Sequence, residues 1–224
     1  MLSFCLFKMQ PTMRYVQYGC GLSAPKEWVN YDISPTLQIR KIPLAGKLIT
    51  KTFNQSIPFP DNVKYGDIVK GLPETHEGAD AVFCSHVLEH LSLEDLRTAL
   101  KNTYAILKPG GIFRFVLPDL EFMAKEYVND LPRTSAQPSI QFVSNMLMGV
   151  QKRERGLKAF IVSYFGNSRH LWMWDYVSLS GELSKVGFKN IRRSEYHGNP
   201  DTMFNLVEDK ERFDIDTLCI EAYK

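Results

Sequence analysis

Apolar and polar positions along the chain follow two different periods, and the switches between them lay out the elements. "RYVQYG" (14–19) and "WVNYDI" (28–33) are short runs of aromatic and β-branched residues, and they predict the first two strands. "NVKYGDI" (62–68) predicts a third, closed by the polar stretch "KGLPETHEG". "DAVFCS" (80–85) is a continuous apolar run, the pattern of a strand covered on both faces. The period then changes: Leu93, Leu96, Leu100, Tyr104 and Leu107 recur at helical spacing behind an S-x-x-D start at Ser92 and Asp95. Lys108-Pro109-Gly110-Gly111 predicts the helix end, because proline biases its predecessor away from helix and glycine admits positive φ. "IFRFVLPD" (112–119) predicts strand five.

Residues 35–60 carry Pro35, Pro43, Pro58 and Pro60 and predict broken helix and loop. Residues 120–174 interrupt the alternation with amphipathic patterns (Phe122, Met123, Tyr127; Phe142, Met146, Met148) and the run "YFGNSRHLWMW". About 50 residues is long for a crossover, so this segment reads as an insertion with its own helices. "SLSGELSKVGF" resumes the alternation as a helix, followed by strands "FKNIRRSE" and "DTLCIEAY". Strand alternating with helix predicts an α/β sheet.

Composition adds bounds. The chain has 224 residues, 44% hydrophobic and 23% charged, as in an ordinary globular protein. Its formal net charge of +2 argues against a dedicated polyanion binder, so no nucleic-acid partner is expected. Cys5, Cys20, Cys84 and Cys219 are scattered without a C-x-x-C pair, which predicts reduced thiols in a cytoplasmic setting. "MLSFCLFKMQ" lacks the layout of a signal peptide, and with Met9 and Met13 as alternative starts it reads as a peripheral extension. Nothing approaches the ~18 apolar residues of a membrane-spanning helix.

The first strand stops at Gly19-Cys20-Gly21, and Asp32 follows on the second. Gly19 to Ala24 literally matches the dinucleotide pattern G-x-G-x-x-G/A. Two features count against a dinucleotide: Pro25 interrupts where a helix should run, and Asp32 arrives earlier than the ~20 residues such sites use. Leu22 to Glu27 can reach roughly 20 Å when extended, enough to return and start a parallel strand without a full helix. A ligand with a ribose but no phosphate suits bare backbone of this kind.

Here the sequence resembles the class I S-adenosylmethionine (SAM)-dependent methyltransferases, in particular compact type 11-like members. "VQYGCG" with "WVNYDIS", "VKYGDI", "DAVFCSHVLEHLS" and "LKPGGIFRFVLPDLE" carry the resemblance in that order; "LSGELSKVGFKNIRR" and "LCIEAYK" resemble the C-terminal part. The match covers about residues 14–119 and 175–224. It implies a Rossmann-like, mostly parallel seven-stranded sheet with an antiparallel last strand and helices on both faces. Residues 1–224 would form one domain, with 120–174 as a helical insertion on the acceptor side. It further implies SAM as cofactor, held by Tyr18, Gly19, Cys20, Gly21, Asp32, Ile33, Gly66, Asp67, Ile68, Ser85 and His86. Asp32 would accept hydrogen bonds from the ribose hydroxyls, Asp67 and Ile68 would border the adenine, and Ser85 and His86 would face the sulfonium. The short first crossover and Pro25 depart from the family pattern.

Three residues are candidates for acid–base or acceptor chemistry. His86, just past strand four, is at the mouth where ligands bind in open α/β sheets; it is a general base or contributes backbone only. Asp119 ends strand five and either meets the acceptor or caps the next helix. His170, with Arg169 and the aromatics Trp172, Trp174 and Tyr176, forms an acceptor wall or docks the insertion. Arg114 lies inside a strand, which favours salt pairing or packing over catalysis. His86, Glu89 and His90 have the spacing H-x-x-E-H of an inverted zinc motif, but the sequence offers no evident third ligand and no metal is expected. "KRERGLK" (152–158) reads as a solvated helix face or a contact for an anionic acceptor.

The expected function is methyl transfer from SAM to a small-molecule or saccharide acceptor, at a hydroxyl. The alternative is a non-catalytic SAM- or nucleotide-binding module serving as a partner platform. A DNA N-methyltransferase is disfavoured because "SHVLEH" stands where those enzymes carry N/D-P-P-Y/F. The sequence does not specify an oligomeric state.

Overall fold

The first strand, β1 (Tyr15–Tyr18), is buried along its whole length, and it sits at the middle of the sheet. The computed structural model describes residues 13–34, 37, 59–150 and 169–224. The expectations for residues 1–12, for most of 35–60 and for the basic run 152–158 lie outside them. With β2 (Val29–Asp32), β3 (Val63–Tyr65), β4 (Ala79–Ser85), β5 (Leu107–Pro118), β6 (Lys189–Ser194) and β7 (Thr217–Tyr223), the strand order is β3-β2-β1-β4-β5-β7-β6. The pairs from β3 to β5 are parallel, and β7 runs antiparallel to both β5 and β6. The α/β class and the antiparallel last strand are as expected.

No helix joins β1 to β2, and two buried amides take its place. The side chain of Gln17 on β1 donates to Asn30 Oδ1 on β2 at 2.5 Å and to the Ser23 carbonyl at 2.8 Å. Asn30 in turn donates to the Pro25 and Trp28 carbonyls, both at 2.9 Å. The two amides thereby tie the loop carbonyls to the strands.

Period-two alternation covers both faces of β4. Val82 and Cys84 pack into a core with Leu96 and Leu100 of α1 (Leu93–Ile106) and Leu179 and Leu183 of α5 (Tyr176–Val186). Ala81 and Phe83 pack on the other face against Trp28 and Phe204, the latter from a short 3-10 turn, Thr202–Leu206. Each fully buried Leu or Phe contributes about 1.5–3 kcal/mol. Helix α1 starts where expected: Ser92 accepts from the Asp95 amide at 3.2 Å and its hydroxyl donates to the Asp95 carboxylate at 2.8 Å.

Strand three is shorter than the 62–68 expected, and two further boundaries shift for visible reasons. Strand five begins at Leu107 rather than 112, because Gly110 donates to the Lys224 carbonyl and Lys224 donates to that of Gly111, which draws the Lys-Pro-Gly-Gly turn into the ladder beside β7. The last helix begins at Tyr176 rather than 178, because Asp175 accepts from the Ser178 amide and caps it. It ends at Gly187, whose φ of 117° is open to glycine at little cost.

The inserted segment carries α2 (Leu120–Asn129), α3 (Leu131–Thr134) and α4 (Pro138–Asn145). Met123, Met146 and Met173 form its small core with Leu120 and Phe142. Its two ends meet: Asp119 and Trp174 form a bridge, and the Leu120 amide donates to the Trp174 carbonyl at 2.9 Å. Trp174 is buried in the main core while Trp172 is largely exposed, so one tryptophan docks the segment and the other does not.

Arg114 on β5 is completely buried. It pairs with Glu208 at 2.5 Å and Glu221 at 2.6 Å, and donates to Ser194 Oγ and the Glu195 carbonyl. It joins β5, β7 and the segment before β7 and takes no part in the site below.

Candidate active site

The loop after β1 is shaped by its glycines. Gly19 and Gly21 have φ of 66° and 54°, left-handed values that disfavour any residue with a Cβ. A Cβ on Gly19 would also run into Cγ2 of Val87, so the β1 and β4 loops touch here through bare backbone. The Gly21 amide donates to Asp32 Oδ2 at 2.9 Å, and the Ser34 amide donates to Oδ1 at 2.8 Å. Each oxygen retains a second lone-pair direction for a ligand hydroxyl. Cys20 is buried between them; burial first, then Asp32, pushes its thiol up to about 12, so it stays protonated and unreactive.

Gly66 is where the next loop comes close. Its amide donates to the Asp32 carbonyl at 3.1 Å, and a Cβ there would press on the Tyr31 ring and on Leu72 at 2.6 and 2.8 Å. Asp67 folds back to accept from the Val69 amide at 3.0 Å, turning the chain.

Past β4, the Ser85 hydroxyl is buried and has no hydrogen-bond partner among the described residues. His86 has φ of 53°, and its amide donates to the Val116 carbonyl at 2.9 Å. Its imidazole is held on both sides: Nε2 lies 3.2 Å from the Arg212 carbonyl oxygen and Nδ1 lies 3.1 Å from Glu89 Oε1.

Tyr18, Gly19, Asp32, Ile33, Gly66, Asp67, Ile68, Ser85 and His86 all line one cavity of about 660 Å³. Cys20 and Gly21 do not line it; they shape the turn beneath it. The sequence reading missed Val69, Val87, His90, Leu91, Asp95, Leu171 and Arg212, which complete the wall. Val87 and His90 lie inside the "SHVLEH" motif and Leu91 and Asp95 follow it, so a projection along that segment would have found them. Leu171 and Arg212 arrive from distant segments and leave no local signal.

Two of the proposed chemical residues sit elsewhere. Asp119 is buried, accepts from the Glu121 amide at 2.9 Å to cap α2, and pairs with Arg193 at 3.0 Å. His170 is buried behind the cavity wall, with Nε2 4.0 Å from Glu89 Oε1 and its ring edge-to-face with His90 at 4.9 Å. Burial, more than any neighbour, holds its pKa below the ordinary histidine value, which keeps the ring neutral. One ligand atom each from Glu89, His90 and His170 lies within 4.8 Å of the others. The third nitrogen or oxygen that the sequence lacked for a metal is therefore brought in by the insertion.

The cavity suits SAM on its own chemistry. Its volume is in the ordinary range for cofactor sites, bare glycine backbone forms one edge, and Asp32 and the unpartnered Ser85 hydroxyl offer polar contacts. Asp32, Asp67 and Ser85 would hold the group, consistent with a charged sulfonium and a diol.

A family model described as a methyltransferase domain matches residues 2–193. Among solved structures, the chain is similar to a SAM-dependent methyltransferase from Methanosarcina mazei, with 16% identity, 96% of this chain and 94% of that one covered, and a TM-score of 0.49. A SAM-dependent methyltransferase from Archaeoglobus fulgidus aligns at 15% identity over 95% and 86%, TM-score 0.48. A possible histamine N-methyltransferase from Thermotoga maritima aligns at 17% over 96% and 84%, TM-score 0.47. No curated protein matches the chain. Since the family model spans most of its length, the chain belongs to the methyltransferase domain family, as a class I enzyme that depends on SAM.

Proposed function

We propose that the chain methylates a hydroxyl of a small molecule or saccharide, and that the cavity at the head of β1, β2 and β4 is where it does so. One observation carries the reading: the Asp32 carboxylate, fixed by the Gly21 amide, and the Ser85–His86 turn border the same cavity. Bound SAM supplies an electrophilic methyl on a sulfonium, so the hard chemistry is the cofactor's. The chain's own work is to bind, orient and exclude water. Asp32 would accept from the ribose hydroxyls, and Tyr18, Ile33, Gly66, Asp67 and Ile68 would frame the nucleoside. His86 would take up the hydroxyl proton, with its Nδ1 3.1 Å from the Glu89 carboxylate. The Arg212 carbonyl must yield Nε2 for that step. Asp119, engaged by a helix end and an arginine, takes a structural part in this scheme, and the 120–174 segment supplies the acceptor wall through Leu171.

The test has two stages. Calorimetric titration with SAM, with NAD⁺ as the control, should give saturable binding for SAM alone. Turnover to S-adenosylhomocysteine should then appear with a panel of phenols, polyols and sugars. Turnover only with amine or carboxylate acceptors overturns the hydroxyl assignment, and no turnover with any acceptor favours a binding module.

A further inference from the structure

Glu89 presents an unusual problem for a folded chain. Its side chain is completely buried, and neither carboxylate oxygen accepts a hydrogen bond among the described residues. His86 Nδ1 approaches Oε1 to 3.1 Å but is not aligned as a hydrogen-bond donor. An ionised carboxylate buried without hydrogen bonds is costly, and a native fold retains one where something compensates it. The groups that surround it are imidazoles. His170 Nε2 lies 4.0 Å from Oε1, and the ring also meets the Met146 backbone carbonyl. His90 packs against His170, and its Nδ1 is 2.9 Å from the Arg169 carbonyl oxygen.

We propose that Glu89, His90 and His170 form a site for a divalent transition metal of the zinc class at the wall of the SAM cavity. The His90 contact is the arrangement seen around metal-bound histidine: Nδ1–H donates to a backbone carbonyl, which fixes the tautomer and leaves Nε2 as the ligand. Two imidazoles and one carboxylate are a borderline donor set, suited to zinc, cobalt or manganese rather than calcium or magnesium. Ligand atoms around tetrahedral zinc stand roughly 3.3 Å apart, given bonds near 2.0–2.1 Å. Binding would draw the ligand atoms, 4.0 to 4.8 Å apart here, together by about an ångström. Three protein ligands leave a coordination position open, the pattern of catalytic rather than structural zinc. Because His90 also lines the cavity, the metal serves the acceptor hydroxyl as a Lewis acid that lowers its pKa. That use rests on the methyl-transfer reading above; the existence of the site does not.

The experiment measures metal directly. The full chain, stripped with a chelator and dialysed, is titrated with zinc chloride by calorimetry and with cobalt chloride by visible absorption, without SAM. One equivalent should bind, with the intense ligand-field bands of four-coordinate cobalt. Glu89→Gln, His90→Ala and His170→Ala should each weaken binding by at least about 100-fold, the upper range for even the loss of an outer-shell partner. His76→Ala, at an exposed histidine remote from the cluster, should leave it unchanged. Circular dichroism identifies any variant that fails to fold, and Glu89→Gln, which keeps the side-chain shape, carries the test if His170→Ala does. No stoichiometric binding to the unaltered chain, or binding indifferent to all three substitutions, overturns the proposal. SAM titration in parallel separates the two readings: metal without SAM binding removes methyl transfer, and SAM without metal removes this site.

Discussion

Asp32 Oδ2 accepts the Gly21 amide proton at 2.9 Å, which ties the end of β2 to the loop after β1. Removing the carboxylate both frees the loop and deletes the acceptor for a ribose diol. A hydrogen bond to a charged group contributes about 1.5–3 kcal/mol, and each 1.4 kcal/mol is tenfold in affinity. Asp32→Ala should therefore weaken SAM binding by roughly 10- to 100-fold in calorimetry. Undiminished affinity would place the nucleoside elsewhere.

Gly19 is constrained twice, by its φ of 66° and by Val87 against its Cα. Gly19→Ala should lower stability by about 1–3 kcal/mol in urea denaturation, the range for a non-glycine residue in a strained region. Val87→Ala relieves the collision but not the backbone angle. The double variant should recover part of the loss and never all of it; complete recovery would mean the dihedral carries no strain.

These two positions were legible in the sequence because both rest on local signals: an apolar run stopping at glycines and an acid on the following strand. The Ser92 cap and the buried β4 pattern were legible for the same reason, while Arg114 read equally as pairing or packing. The partner atoms were not. His170 meets Glu89 only because the insertion folds back on itself at Asp119 and Trp174. Arg212 reaches His86 across a separation of 126 residues. Asp119 shows the converse: its place at a strand end fitted catalysis and capping equally, and the cap is visible only in the fold, through the Glu121 amide.

Arg114 lies between two buried glutamates, Glu208 and Glu221, the second of which also pairs with Arg192 at 2.6 Å. Arg114→Met leaves Glu208 without a cation and should cost about 3–5 kcal/mol, read as a fall in denaturant midpoint. Adding Glu208→Gln should restore much of that stability, since the penalty belongs to the stranded charge. If the double variant is no better than the single one, packing rather than charge dominates.

Glu182 on α5 pairs with Arg97 on α1 at 2.8 Å and with Lys185 at 2.7 Å, and these hydrogen bonds hold its pKa down to about 2. A carboxylate depressed in the folded state adds stability that is fully present above its unfolded pKa of about 4.3. That contribution fades as pH falls from there through about 2. Both cations are substantially exposed, so solvent screening limits the effect to about 1 kcal/mol or less. Glu182→Gln should therefore melt lower than the parent at pH 7, with the gap closing as pH drops towards 2. A gap that persists unchanged at low pH would mean the ion pairs contribute nothing.

His86 has its backbone and side chain assigned to different tasks. Its amide is committed to the Val116 carbonyl and its left-handed φ sets the turn, while the imidazole extends between Glu89 and Arg212 at the cavity wall. Substituting the side chain should spare cofactor contacts made by the turn and remove the proton acceptor. His86→Ala should thus reduce turnover by about 100-fold or more, within the range for a lost general base, while the SAM dissociation constant changes by less than a few-fold. His86→Asn, which keeps hydrogen-bonding capacity but cannot take up a proton, should retain SAM binding and recover no turnover. Recovery in that variant would make His86 a positioning residue. Unchanged turnover in His86→Ala would shift the burden of deprotonation to the cluster of Glu89, His90 and His170 behind it.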